Sequence, residues 1–285
     1  MASLKNYCYL NESFLPLDEA KLAITDRGLL LADGFFTTLL SHHNHLIFFE
    51  DHWQRLLKSS KLLNIPLPFT QQQLKTICHQ LNDYNHFGKT TASFRITITR
   101  GVGPRGVLPP ANLQPSCFIL AFPLSSFPNS ITLIPNTDFR VCANPLSSIK
   151  TLNYSEKIYA KQQGAALGFD DILFLNFQNE ICNTSCANIF MVFSQKLYTP
   201  PISSGIIEGI LRKNILKIAT KLGIAFVESP IQLNQVKEAD EIFVTNSLVG
   251  IQGVSKIESI SLKPSANTAI TGALKEHYQL ILHSP

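Results

Sequence analysis

The sequence predicts an α+β protein of two domains, and three observations carry that expectation. The chain has 285 residues, room for one large domain or two of ordinary size. Short alternating runs that suit strands stand beside apolar stripes that suit helices, without a regular strand–helix–strand rhythm. The stretch 122–130, reading FPLSSFPNS, breaks both periodicities with Pro and Ser. A first domain is therefore expected over 1–122, a linker over 123–130 and a second domain over 131–285.

Each element has its local reason. Leu46 to Phe49 (LIFF) reads as a short strand, and Glu50 to Asn64 carries a helical stripe through Trp53, Leu56, Leu57 and Leu62-Leu63. Pro66 and Pro68 stop that helix. Thr70 and Gln73 form a capping-box pattern that opens a helix to about Asn82. Phe94–Thr99 and Cys117–Phe122 read as strands around a Gly/Pro loop, 100–110. Beyond the linker come a strand at Ile131–Ile134, a helix from Thr151 to Leu167, and strands at Asp171–Asn176 and Ala187–Phe193. A helix from Ile207 to Leu222, a strand at Glu241–Thr245 and a closing helix at Leu274–Leu282 complete the second domain.

Composition excludes several classes. Apolar residues make up 45% and charged residues 15%, which is the opposite of intrinsic disorder. A net charge of +4, scattered along the chain, is too weak for a nucleic-acid footprint. No run of about 18 apolar residues exists, so no membrane helix is expected. The six cysteines lack CxxC spacing, which argues against zinc and thioredoxin-type chemistry. Cys182 and Cys186 sit among small residues and read as buried packing. The start, MASLKNY, lacks the apolar core of a signal peptide, so a cytoplasmic protein with reduced thiols is expected. His42, His43 and His45 read as a solvated turn rather than a metal site, and Trp53 as core or dimer packing.

Six segments could carry chemistry. Asp26-Arg27-Gly28 with Ala32–Thr38 is a Gly-turned loop feeding a strand. His52 and Arg55 share a helix face, and a guanidinium on an apolar helix suits a phosphate. Lys150 lies between Ile149 and Leu152, where apolar surroundings would lower its proton affinity and favour a nucleophilic amine. Cys182–Phe190 is a run of small and hydroxylated residues before a strand. Gly205–Arg212 opens a helix whose free N–H groups form an anion site. Thr245-Asn246-Ser247-Leu248 closes a strand. Taken singly, each is also an ordinary turn, surface arginine or surface lysine.

Together and in this order they resemble the fold-type IV class of pyridoxal-phosphate enzymes, from about Asp26 to Val254. That class holds branched-chain and D-amino-acid aminotransferases and 4-amino-4-deoxychorismate lyase. The resemblance implies a smaller N-terminal α/β domain, a larger C-terminal barrel-like domain, a homodimer, and pyridoxal 5'-phosphate as cofactor. It gives Lys150 the Schiff base with the cofactor and Arg55 a contact to its phosphate. It gives Gly209 and Ile210 the backbone donors to the phosphate, with Asn246 and Ser247 on the other side of the cup.

Within the class, the substrate side decides. D-amino-acid aminotransferases trap a carboxylate with an Arg, a His two residues later and a Tyr after the Asp-Gly pair. Here Arg105 keeps the Arg, while Val107 and Phe36 stand at the other two positions. Branched-chain enzymes usually read Gly-Ile-Thr-Arg where this chain has Gly-Ile-Leu-Arg at 209–212. The lyases tend to have a bulky apolar residue there, and Phe36-Thr37-Thr38, Arg105-Gly106 and Thr245-Asn246-Ser247-Leu248 all lean to the lyases. The expected activity is therefore conversion of 4-amino-4-deoxychorismate to 4-aminobenzoate and pyruvate for folate synthesis. Transamination of a D-amino acid or branched-chain amino acid is the alternative, and a cofactor-binding protein without turnover is a further one. Lys150 would act as base and then acid, Thr38 would orient water or substrate, and Arg105 would take a substrate carboxylate. One departure stands out: the class places a Glu facing the pyridine nitrogen, and that position here is Asn183, with Glu180 three residues too early.

Overall fold

The computed structural model describes residues 6–262 and 269–283. The first five residues, part of the N-terminal stretch read above for a signal peptide, lie outside it. The chain forms two compact units, which divide at Ser125/Ser126.

The first unit carries strands β1 (Tyr7–Leu10), β2 (Ser13–Pro16), β3 (Gly34–His42), β4 (His45–Leu46), β5 (Thr91–Thr99) and β6 (Ser116–Pro123). Its helices are α1 (Arg27–Leu31), α2 (Phe49–Leu63) and α3 (Gln71–Tyr84). The strands form one antiparallel sheet in the order β2-β1-β6-β5-β3-β4. Alternation along β3 and β5 splits the side chains between two faces. Phe35, Leu39, Phe94, Ile96 and Ile98 join Trp53 and Leu56 of α2 and Leu74, Ile77 and Leu81 of α3 in one buried core. Burying each such side chain stabilises the fold by roughly 1.5–3 kcal/mol. Phe36, Thr38 and Arg95 therefore belong to the other face. The expected capping box at Thr70 and Gln73 is present, with both reciprocal bonds made. The expected strand at Leu46–Phe49 is corrected. Only His45–Leu46 pairs, because Phe48 turns left-handed (φ 53°) and Phe49 already opens α2.

The second unit carries β7 (Ser130–Val141), β8 (Asp171–Asn176), β9 (Ile181–Thr184), β10 (Asn188–Phe193), β11 (Lys196–Thr199) and β12 (Phe226–Glu228). β13 (Glu241–Asn246), β14 (Gly250–Ile257) and β15 (Ile260–Ser261) follow, with helices α4 (Ser155–Ala166), α5 (Ile210–Lys221) and α6 (Ala269–His283). The path β10-β13-β14-β7-β8-β9 returns to β10 through the pair Asn188↔Asn183, so the mixed sheet closes into a barrel-like ring. Closure removes exposed strand edges. One buried cluster gathers Leu133, Leu173, Ile189, Met191, Ile242, Val244 and Val254. Phe190 and Phe243 stack at 5.0 Å between centroids. Glu241, 4% exposed, accepts from the first N–H groups of α6 at Ile270 and Thr271, satisfying donors that a helix start leaves open.

Several boundaries differ from the sequence reading. Residues Ile149–Asn153, expected in the second domain, fold with the first unit. Phe36 N–H donates to the Lys150 carbonyl (2.9 Å) and Leu152 N–H to the Gly34 carbonyl (3.1 Å). These bonds draw 150–152 into the first sheet, so the helix expected from Thr151 starts only at Ser155. The helix expected from Ile207 starts at Ile210, after an extended Gly209. Among the described residues all six cysteines are unbridged; Cys182 is buried as expected, whereas Cys186 is exposed. Trp53 lies in the first core.

Candidate active site

In the first unit, the chain pairing described above sets Lys150 against β3. Its Nζ stands 4.8 Å from the centroid of the Phe36 ring, which is 2% exposed. Arg95 stacks on the same ring, with Cζ 3.6 Å from the centroid. Two cations against one aromatic ring is the geometry of cation–π attraction, and it leaves a positive, partly apolar surface beside the amine. Thr38 is paired with Arg95 across the sheet. Sequence reasoning passed over Arg95; the alternation of β5, which puts a charge opposite an apolar core strand, is the signal that finds it.

Behind β3, His52 of α2 is 1% exposed, and its Nδ1 lies 2.8 Å from the Thr37 hydroxyl. Burial first, then the charge on Arg55, holds the His52 imidazole well below its ordinary range; Lys150 pushes the same way and Asp51 opposes. The lowered proton affinity favours the uncharged imidazole beside the Arg55 charge. Arg105 lies on the exposed loop after β5, and Val107 beside it is 91% exposed. The structure therefore groups Lys150, Phe36, Arg95 and Thr38, with Arg55 near His52, while Arg105 and Val107 stand on a separate loop.

In the second unit, Asn183 ends the closing pair of the barrel-like ring opposite Asn188. The Asn188 amide donates to the Ile207 carbonyl at 3.0 Å, pinning the loop before α5. A Cβ on Gly209 would sit 1.9 Å from the Asn188 Oδ1, so any other residue there would displace the Asn188 side chain. Gly209 is the N-cap of this twelve-residue helix and offers no side chain to cap it, so the first N–H groups, Ile210 included, carry the partial positive end of the helix without a side-chain cap. Asn246 folds its own turn: its Oδ1 accepts from Leu248 and Val249 N–H, both at 2.9 Å. Ser247 occupies the tip of that turn.

Three buried side-chain atoms in this unit have no hydrogen-bond partner among the described residues: the Asn183 Oδ1, the Thr245 Oγ1 and the Arg212 Nε. An unsatisfied buried polar atom costs about 1–3 kcal/mol, so a bound group that pairs with it is favoured. Pyridoxal phosphate fits this donor set. A protonated ring nitrogen would satisfy the Asn183 oxygen, and a phosphate would take the α5 donors and the Thr245 hydroxyl. Glu180 cannot replace Asn183. It lies in the β8–β9 turn, where its carboxylate accepts from the Asn176 amide at 2.6 Å and its N–H donates to the Asn176 Oδ1. Among the described residues no group of three His, Cys, Asp or Glu could hold a metal ion, and no helix is long and apolar enough to cross a membrane.

A closing barrel-like sheet joined to an antiparallel sheet unit, with a half-buried lysine beside an aromatic ring, defines a pyridoxal-phosphate enzyme of the fold-type IV class. The chain belongs to the class IV aminotransferase family, whose model matches residues 34–257. A Methanocaldococcus jannaschii protein provisionally named branched-chain-amino-acid aminotransferase is 30% identical over 95% of this chain and 94% of its own length. A D-alanine aminotransferase of Staphylococcus aureus is 26% identical over 97% and 98%. A solved structure from Legionella pneumophila, provisionally named 4-amino-4-deoxychorismate lyase, is 28% identical with a TM-score of 0.86, covering 92% of this chain and 96% of that one. Enzymes of this family use pyridoxal phosphate.

Proposed function

We propose that this enzyme is a 4-amino-4-deoxychorismate lyase that releases 4-aminobenzoate and pyruvate. The observation that carries the reading is the buried Phe36 ring beside Lys150, flanked by Arg95. A flat cyclohexadiene ring stacks on an aromatic platform, and a substrate with two carboxylates asks for two guanidinium groups. Arg95 and Arg105 are those groups in this reading. Phe36 and Val107 replace the polar clamps of D-amino-acid aminotransferases, and the buried Leu211 replaces the threonine hydroxyl of branched-chain enzymes. The Legionella relative's name agrees with the choice.

The cofactor, when bound, supplies an aldehyde for the substrate amine and a ring that takes up electrons. In this reading the Gly209 and Ile210 N–H groups, Asn246 and Ser247 of the second unit would hold its phosphate and Asn183 would meet its ring nitrogen; the family resemblance also gives Arg55 a phosphate contact. Lys150 would remove the proton on the carbon that bears the substrate amine. The bond from the ring carbon to the enolpyruvyl oxygen would then break as the ring becomes aromatic. Lys150 returns a proton to the methylene carbon of the departing group, completing pyruvate. Thr38 orients water or substrate beside the amine. An uncharged Asn183 suits this route, because aromatisation drives the elimination and lessens the demand for a charged electron sink. The same reading makes the protein a cytoplasmic homodimer.

The test is to supply chorismate, glutamine and an aminodeoxychorismate synthase, then measure 4-aminobenzoate and pyruvate. Both products should form in equal amounts. No 4-aminobenzoate, together with transfer of an amino group to 2-oxoglutarate, would replace this reading by the transaminase one. The identity to the Methanocaldococcus jannaschii protein favours that second reading.

A further inference from the structure

We propose that Arg27 is the positioning residue for substrate recognition, because its guanidinium fixes the loop that presents Arg105. The proposal rests on the reading above in which Arg105 takes a substrate carboxylate. Arg27 is 1% exposed, although it lies in the short helix α1 on the unit's surface. Its Nη1 donates to the carbonyls of Pro104 (3.0 Å) and Gly106 (2.8 Å), and its Nη2 to that of Val107 (3.2 Å). Residues 104–107 lie in neither helix nor strand, so no sheet ladder holds this stretch. The guanidinium grips the main chain on both sides of Arg105 and leaves the Arg105 side chain exposed.

The grip is itself anchored. Arg27 Nε donates to Asp33 Oδ2 at 2.9 Å, and Arg100 Nε donates to the same oxygen at 2.7 Å. The remaining Arg100 nitrogens donate to the Leu63 and Asn64 carbonyls at the end of α2. Burial would raise the Asp33 pKa, but its two arginine partners outweigh this and lower it, so the anchor stays charged. Space is reserved for the arm as well: a Cβ on Gly103 would lie 3.1 Å from Arg27 Cδ and 2.8 Å from Leu113 Cδ1. Gly106 takes φ +139°, a conformation that other side chains rarely adopt. A lysine could keep the pairing with Asp33, but a single ammonium cannot reach three carbonyls in the plane of a fork.

Arg27→Lys tests the proposal in the cofactor-loaded enzyme. Trypsin should cut the Arg105–Gly106 bond on the order of 10-fold faster, with other sites unchanged. KM for the substrate should rise about 10-fold with kcat within about 2-fold, since a misplaced loop loses binding rather than chemistry. In an Arg105→Ala background the same substitution should add nothing to KM, as two residues acting through one contact are not additive. If Arg105→Ala itself leaves KM unchanged, the carboxylate reading fails and the proposal falls with it. If Arg105→Ala raises KM while Arg27→Lys leaves KM or the Arg105–Gly106 cut rate unchanged, the proposal alone fails. Should Arg27→Lys not fold, Asp33→Asn loosens the same guanidinium and is read by the same two measurements, with the same outcomes deciding.

Discussion

At the residue scale, the proposed chemistry rests on one amine. Lys150→Ala should abolish turnover and the visible absorbance of the bound cofactor; borohydride reduction of the unaltered enzyme should leave a pyridoxyl adduct on the peptide that contains Lys150. An adduct mapped to a different lysine would contradict the assignment. Asn183 offers a second test. Introducing a charge by Asn183→Glu should shift the cofactor's absorbance and raise amino-group transfer relative to elimination. Unchanged spectrum and unchanged product ratio would show that position 183 does not face the ring. His52 provides a third. Its folded pKa is depressed below 6.5, so it is neutral in both states above that value and contributes no slope there. As pH falls below 6.5 the unfolded chain gains the proton first, and stability is lost at up to about 1.4 kcal/mol per pH unit. His52→Asn should flatten the fall in unfolding free energy between pH 6.5 and 5; parallel curves would refute this.

Helix α5 is the element on which the phosphate reading turns, and Gly209 is its weakest point. Gly209→Ala must push the added methyl against Asn188, so cofactor affinity should fall by about 10-fold or more while α5 itself persists. Equilibrium dialysis with pyridoxal phosphate measures this, and unaltered affinity would place the phosphate elsewhere. The elements also show what was legible in the sequence. Helix α3 and its capping box were readable because the whole signal lies within four residues, Thr70 to Gln73. The strands β1, β2, β11 and β12 were not. Each is three or four residues long, too short for an alternating pattern to register, and β1 also depends on a partner far along the chain, as Cys8 does on Leu120. Arg27 illustrates the same limit at the site. Its neighbours in sequence say nothing of carbonyls 77 to 80 residues away.

The whole chain crosses between its two units more than once, since Ile149–Asn153 folds with the first. A fragment that ends at Ser125 thus lacks both Lys150 and the two main-chain bonds that 150–152 makes to β3. That fragment should melt below the corresponding transition of the full chain, measured by calorimetry; an equal midpoint would mean the added segment contributes nothing. The linkage between Lys150 and Phe36 has an evolutionary consequence. Because backbone atoms make it, any side chain at position 36 that leaves the strand intact preserves the placement of the amine. Descendants of such a scaffold can therefore trade one substrate for another by exchanging a single ring, without having to rebuild the reaction centre.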